Sequence, residues 1–118
     1  MLKLSHKNLD VWKASVAFVS EIYKLTENFP KSEMYGIVNQ IRRASVSIPS
    51  NIAEGASRNS LKDRNRFYII ARSSLVELDT QLEISIHLKY CSGEQLISIT
   101  EKMNHIFAML SKMIKREK

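Results

Sequence analysis

QIRRASVSIPSNIAEGAS, residues 40–57, decides how this chain is to be read. Its apolar and small positions advance in threes and fours: Val38, Ile41, Ser45, Ile48, Ile52, then Gly55 or Ala56, with Met34 ahead of them. That is the period of one helical face. Pro49 stands in the middle of it. A proline inside a helix lacks the N–H that would serve the carbonyl four residues back, and its ring crowds that carbonyl, at a cost of about 3 kcal/mol. A helix that ended at Pro49 would reset its phase on the far side. The phase runs through unchanged, so the stretch predicts one continuous helix kinked at Pro49. The carbonyl of Ser45 then lacks its helical donor, and Ser47, Ser50 and Asn51 offer hydroxyl and amide donors nearby.

Three more helices extend outward from this one. The first is expected from about Leu9 to Glu27, with Asn8 as N-cap, Asp10 in the first turn and Trp12 anchoring it in the core. NFPKSE, residues 28–33, interrupts it, and Ser32 is placed to cap the second helix beside Glu33. SRNSLKD, residues 57–63, forms the next turn, where Ser60 and Asp63 resemble a capping box with the shorter acid. The third helix then runs to about Tyr90. CSGEQ, residues 91–95, repeats the box with Ser92 and Gln95. The fourth carries Leu96, Ile99, Met103, Ile106, Leu110 and Met113 in a heptad-like seam. With 3 Gly and 2 Pro in 118 residues, turns are few and helices must be long. Short connections favour antiparallel neighbours. The expected fold is all-α: an antiparallel up-down-up-down four-helix bundle, residues 1–118 forming a single domain.

The third helix has more apolar surface than such a bundle needs. Tyr68, Ala71, Leu75, Leu78, Leu82 and Ser85 make one seam, and Arg66, Ser73, Thr80 and His87 make a polar line for water. A further line is Ile70, Glu77 and Ile84, with Ile69 and Val76 beside it. Either the helix is buried on two sides within the monomer, or the extra face meets another subunit. A subunit contact through Ile70, Val76 and Ile84 is the expectation.

Charge is uneven. The formal net charge is +6. Arg58, Lys62, Arg64, Arg66 and Arg72 are set against Asp63 alone, and Lys112, Lys115, Arg116 and Lys118 against Glu117. Such a surface is either a solvated face or a polyanion site. Phe67 and Tyr68 fall near the core in this pattern, so base stacking is expected to be minor.

The chain lacks the usual catalytic constellations. His6, His87 and His105 are scattered, without partners at metal-ligand spacing. Cys91 has His87 four residues before it but no third group to orient the pair. Glu77 and Glu83 do not share a helical face, there is no glycine-rich phosphate loop, and Met103, Met109 and Met113 read as core or interface filler. No enzyme, cofactor or metal is expected. A single cysteine, a polar opening MLKLSHKNLD and no apolar run of about 20 residues predict a cytoplasmic protein without a membrane span.

Inside the second helix, Glu54 shares a face with Gln40 and Ser47, and Gly55 lies between Ala53 and Ala56 in a small-residue patch open to close helix approach. Glu54 and Glu77 are read as carboxylates that pair with Arg42, Arg43 or Arg72. DVWKASVAF, QIRRASVSIPSNIAEG and SLVELDTQLEIS, residues 10–18, 40–55 and 74–85, together resemble the four-helix-bundle proteins named after 23S rRNA intervening sequences. The resemblance spans nearly the whole chain, and IPSNIAEG is its specific part. It implies a left-handed up-down bundle that assembles as a homo-oligomer, typically a pentamer, with no settled biochemical role. A related group, the accessory variability proteins of diversity-generating retroelements, has a similar barrel-like pentamer and binds nucleic acid and a reverse transcriptase. The signature positions carried over are Arg42, Arg43, Pro49, Asn51, Glu54, Gly55 and Glu77, taken as a polar cluster that fixes the register of the second and third helices.

Two functions follow as expectations. The first is a non-enzymatic, homo-oligomeric scaffold that binds RNA or DNA. Arg58, Lys62, Arg64 and Arg66 would then repeat around one end of a ring as a basic rim. The alternative is a protein–protein adaptor whose charge is incidental.

Overall fold

The computed structural model describes residues 1–114, and those residues form four α-helices and no strand. They are α1 (Asp10–Thr26), α2 (Ile37–Ala56), α3 (Leu61–His87) and α4 (Ile97–Met113), with 3₁₀ turns at Ser5–Asn8, Lys31–Glu33 and Glu94–Leu96. Each helix packs on its neighbour in the chain, and α4 returns against α1. The α2–α3 contact is the most extensive. Phe18, Ile22, Ile41, Ile48, Ile52, Leu78, Ile106 and Leu110 are sealed inside the four. The buried seams of α3 and α4 fall where the sequence periodicity sets them, and Arg66, Ser73, Thr80 and His87 face water.

The helix starts depart from expectation at three of four places. Asn8 is the last residue of a 3₁₀ turn, and Leu9 occupies the N-cap position of α1 without a side-chain bond. Ser32 lies in the Lys31–Glu33 turn, and α2 begins only at Ile37 after Gly36. Met34 therefore precedes the helix and is exposed. α3 starts as read, and the Ser92–Gln95 pair forms as read but ahead of α4, which begins at Ile97 with Leu96 at its N-cap and no side-chain bond. Ser60 Oγ accepts from the Asp63 backbone N–H at 3.1 Å. Ser92 and Gln95 exchange bonds in both directions, Ser92 N–H to Gln95 Oε1 at 2.9 Å and Gln95 N–H to Ser92 Oγ at 3.3 Å. That box closes on the 3₁₀ turn that leads into α4.

The end of α3 was not foreseen. Lys89 takes a left-handed conformation, with φ 63°. Its N–H bonds the carbonyl of Ile86 and that of Tyr90 bonds the carbonyl of Ser85, both at 2.9 Å. This is the Schellman closure that glycine usually supplies.

α2 runs unbroken through Pro49, which is buried. The side-chain donors do not go to Ser45, as the sequence reading had it. Ser50 Oγ donates to the carbonyl of Val46 at 2.9 Å, and Asn51 Nδ2 to the carbonyl of Ser47 at 2.8 Å. Both bonds lie just past the proline's own vacancy and reinforce the turn into which its ring is wedged. Gly55 fulfils the small-residue reading: a Cβ there would stand 2.6 Å from Tyr68 Cε1 and 3.2 Å from the carbonyl oxygen of Arg64. α2 and α3 meet that closely because position 55 has no side chain.

Candidate functional site

The α2–α3 junction carries four basic residues, two of them over one aromatic ring. Arg58 follows the end of α2, and Lys62, Arg64 and Arg66 lie in the first turns of α3. The guanidinium of Arg58 sits 4.7 Å from the Phe67 ring centre, and that of Arg66 sits 5.5 Å from it. Arg64 Nε donates to the carbonyl of Arg58 at 2.7 Å, which ties the turn to the helix. Arg58 also meets Glu54 at 3.1 Å in an exposed ion pair, worth at most about 1 kcal/mol. Among the described residues, Lys62 and Arg66 have no acidic partner within ion-pair distance. The N-terminus of α3 adds its own positive end to this cluster, so cations there are held against the helix dipole. Phe67 is half-buried and seats two guanidinium groups, a use the sequence reading missed by placing it near the core. Tyr68, one residue on, is buried as expected. Burial pushes its hydroxyl above the ordinary tyrosine range, with Arg64 acting in the opposite sense. Lys115, Arg116 and Lys118 of the basic tail lie outside the described residues, whereas Lys112 is exposed.

The signature residues do not form one cluster. Arg42 reaches back to α1: its Nε donates to Thr26 Oγ1 at 2.9 Å, its Nη2 to the carbonyl of Tyr23 at 3.4 Å, and it lies 4.5 Å from the Tyr23 ring centre. It serves as a cationic cap for the end of α1. Arg42, Arg43 and Arg72 make no ion pair with Glu54 or Glu77. Both carboxylates are exposed; Glu54 meets Arg58, and Glu77 accepts from Gln81 Nε2 at 3.3 Å. Arg72 turns instead to α4, donating to Ser111 Oγ at 3.2 Å and lying 5.7 Å from the Phe107 ring centre. The polar link between α2 and α3 consists of Asn51, Ser47 and Ser74. Asn51 Nδ2 reaches Ser47 Oγ at 2.9 Å, and that hydroxyl pairs with Ser74 Oγ, also at 2.9 Å. Ser74 was read as part of no site. A hydroxyl pair between two helices leaves no periodic trace.

The extra apolar surface of α3 is exposed within the monomer, which removes the reading that it is buried on two sides of the bundle. It is also two surfaces. At about 100° per residue, Val76 lies roughly 80–120° around the helix from Ile70 and Ile84. Val76 lines a groove of about 290 Å³ between α3 and α4, together with Asp79 and Phe107. Ile70 and Ile84 lie one heptad either side of Glu77, which borders the α2–α3 groove.

The sequence profile of the 23S rRNA-intervening sequence proteins matches residues 7–112. The chain belongs to this family. A crystal structure from Bacteroides thetaiotaomicron VPI-5482, of a protein with unknown function from the S23 ribosomal protein family, is similar to it at a TM-score of 0.79 and 29% identity. The likeness covers 90% of this chain and 99% of that one. No curated protein matches the chain. Within this intervening-sequence fold, IPSNIAEG acquires physical roles. Asn51 bridges to Ser47, Glu54 meets Arg58, and Gly55 admits Tyr68.

Cys91 is buried, which raises its thiol above the ordinary range and works against a reactive thiolate. Burial also raises the Tyr90 hydroxyl, and the negative charge of Glu33 acts in the same sense. Among the described residues, no group of three or more His, Cys, Asp or Glu side chains is placed to hold a metal ion, and no helix is long and apolar enough to cross a membrane.

Proposed function

We propose that this chain is a non-catalytic, cytoplasmic helical scaffold that assembles from several copies and binds RNA or DNA through the basic junction. Its helices alternate in direction, and five copies is the assembly that the resemblance implies. The observation that carries the binding reading is the grouping of Arg58, Lys62, Arg64 and Arg66 at the α2–α3 junction, with Arg58 and Arg66 over Phe67, Arg64 tied to the Arg58 carbonyl, and Glu54 as the single acidic side chain in ion-pair contact with them among the described residues. Positive charge that its own fold leaves unanswered attracts phosphate. Repetition of the patch in an oligomer multiplies weak phosphate contacts. Phe67 is occupied by two guanidinium groups, so base stacking has to displace them. Recognition of the backbone with little sequence preference follows.

The test is fluorescence anisotropy with a mixed-sequence single strand at several salt concentrations. Wild type is expected to bind at micromolar concentration in low salt and to weaken as salt rises. The informative variant is Lys62→Glu with Arg66→Glu, because Arg64 also holds the carbonyl of Arg58 and its loss would disturb the turn. Losing two phosphate contacts should flatten the log–log salt slope by about 1.4 for each bound junction on a single strand. An absence of binding in low salt, or a slope that the reversal leaves unchanged, refutes the reading and leaves the protein–protein adaptor in its place.

A further inference from the structure

We infer that the faces on opposite sides of the bundle are the two halves of one contact, in which Tyr35 of one copy seats in the α3–α4 groove of the next and Arg43 reaches Asp79. This rests on the homo-oligomer reading above and names the surfaces that carry it. Tyr35 projects from the turn before α2 and is 95% exposed, a position that gains nothing from a large aromatic ring in an isolated chain. It stands at the rim of an α1–α2 groove of about 640 Å³, beside exposed Met34 and Val46. That lining contains Arg42 and Arg43 and no acidic residue.

The α3–α4 groove has the complementary character. Its lining contains Asp79 and no basic residue, and its exposed apolar members are Val76 and Phe107. At about 290 Å³ it has room for one aromatic ring, with Asp79 and Asn104 at hand for a phenol hydroxyl. Arg72 flanks it but is already held by Ser111 and Phe107. Arg42 is likewise committed to α1. Arg43 and Asp79 make no ion pair or hydrogen bond among the described residues. Within the two groove linings, Arg43 and Asp79 are the charges left without a bond, of opposite sign and beside exposed apolar side chains; Arg43 also borders the α2–α3 groove that contains Glu77. α1 with α2 and α3 with α4 form opposite sides of the bundle, because each helix packs on the two beside it and the diagonal backbones lie farther apart. A contact between different faces is heterologous, and it closes into a ring when the rotation between copies permits. Tyrosine in a pocket beside a desolvated charge pair is the kind of anchor that dominates such contacts.

Sedimentation equilibrium and light scattering test the assignment. Wild type should have a mass several times 13.6 kDa. Tyr35→Ser, Arg43→Glu and Asp79→Lys all alter exposed side chains, and each should weaken assembly at least about tenfold while helical circular dichroism is retained. Arg43→Glu combined with Asp79→Lys should restore most of the loss. A wild-type oligomer that these variants leave intact but Ile84→Lys dissociates overturns the face assignment and keeps the homo-oligomer. A wild type that stays monomeric at about 100 μM overturns both and turns the two faces over to a different partner. Nucleic-acid binding is read separately, by anisotropy.

Discussion

Gly55→Ala sets two physical effects against each other with opposite signs. Gly55 is the penultimate residue of α2 and has an ordinary negative φ, so alanine fits its backbone. On helix propensity alone the substitution should stabilise by up to about 1 kcal/mol, less so close to a helix end. The packing opposes it. The new methyl would stand 2.6 and 2.9 Å from two carbons of the Tyr68 ring and 3.2 Å from the Arg64 carbonyl. Ordinary contact begins near 3.4 Å. Tyr68 is 7% exposed and has little room to swing, and the carbonyl belongs to the backbone of α3. α3 must back away from α2 along the most extensive contact in the bundle. Overpacking of this kind costs about 1–3 kcal/mol. The net expectation is a loss of about 1–2 kcal/mol. For 118 residues the unfolding entropy is about 0.25 kcal/mol/K, so the thermal midpoint should fall by about 4–8 °C. The assay is thermal unfolding followed by circular dichroism, with Tyr68→Leu and the double variant completing a cycle. The double variant should be more stable than the sum of the singles predicts, by about 0.5–1 kcal/mol. A midpoint that holds or rises in Gly55→Ala, or a cycle without coupling, refutes the close-approach argument.

Asn51→Leu removes both bonds to Ser47, but Ser47 Oγ keeps Ser74, so the loss should sit near the low end for a broken polar link, about 1 kcal/mol or 4 °C in the midpoint. A gain in stability would mean that α2 accommodates Pro49 without this bridge. Lys89→Gly should raise the midpoint by about 2–4 °C, because only the left-handed φ of 63° is relieved there. Lys89→Ala should leave it nearly unchanged, and an equal rise in both would point to the lysine side chain instead of the backbone.

Most of the architecture can be read from the sequence because helical period and breaker scarcity act locally. The seam of α3 and the line through Pro49 needed no knowledge of partners. The start of α2 failed for a local reason as well: Lys31–Glu33 closes as a 3₁₀ turn first, and Ser32 is spent before the α-helix begins. The site residues were harder, because their roles depend on contacts between helices. Arg42 and Tyr23 are 19 residues apart, and Arg72 and Ser111 are 39 apart. Nothing in spacing announces either pair. Glu54 was expected to seek an arginine from afar and instead met Arg58 at the next turn, where i,i+4 geometry alone would have found it. Val76 was grouped with Ile70 and Ile84 by hydrophobicity. A helical wheel separates it from them, and the structure places it in the α4 groove.

The signature segment and the basic junction are one mechanical unit. Asn51 ties α2 to α3 through Ser47 and Ser74. Gly55 then admits the Tyr68 ring and the Arg64 carbonyl, and so sets how near α3 begins. The side chain of that same Arg64 returns to the carbonyl of Arg58, and the guanidinium of Arg58 is laid over Phe67 beside that of Arg66. Each contact presupposes the one before it. A methyl group at position 55 should therefore do more than lower stability. By pushing back the first turns of α3 it should lengthen the Arg64–Arg58 bond and loosen the pair of guanidinium groups on Phe67. A structural signature that ends in glycine is what a closely folded basic turn requires.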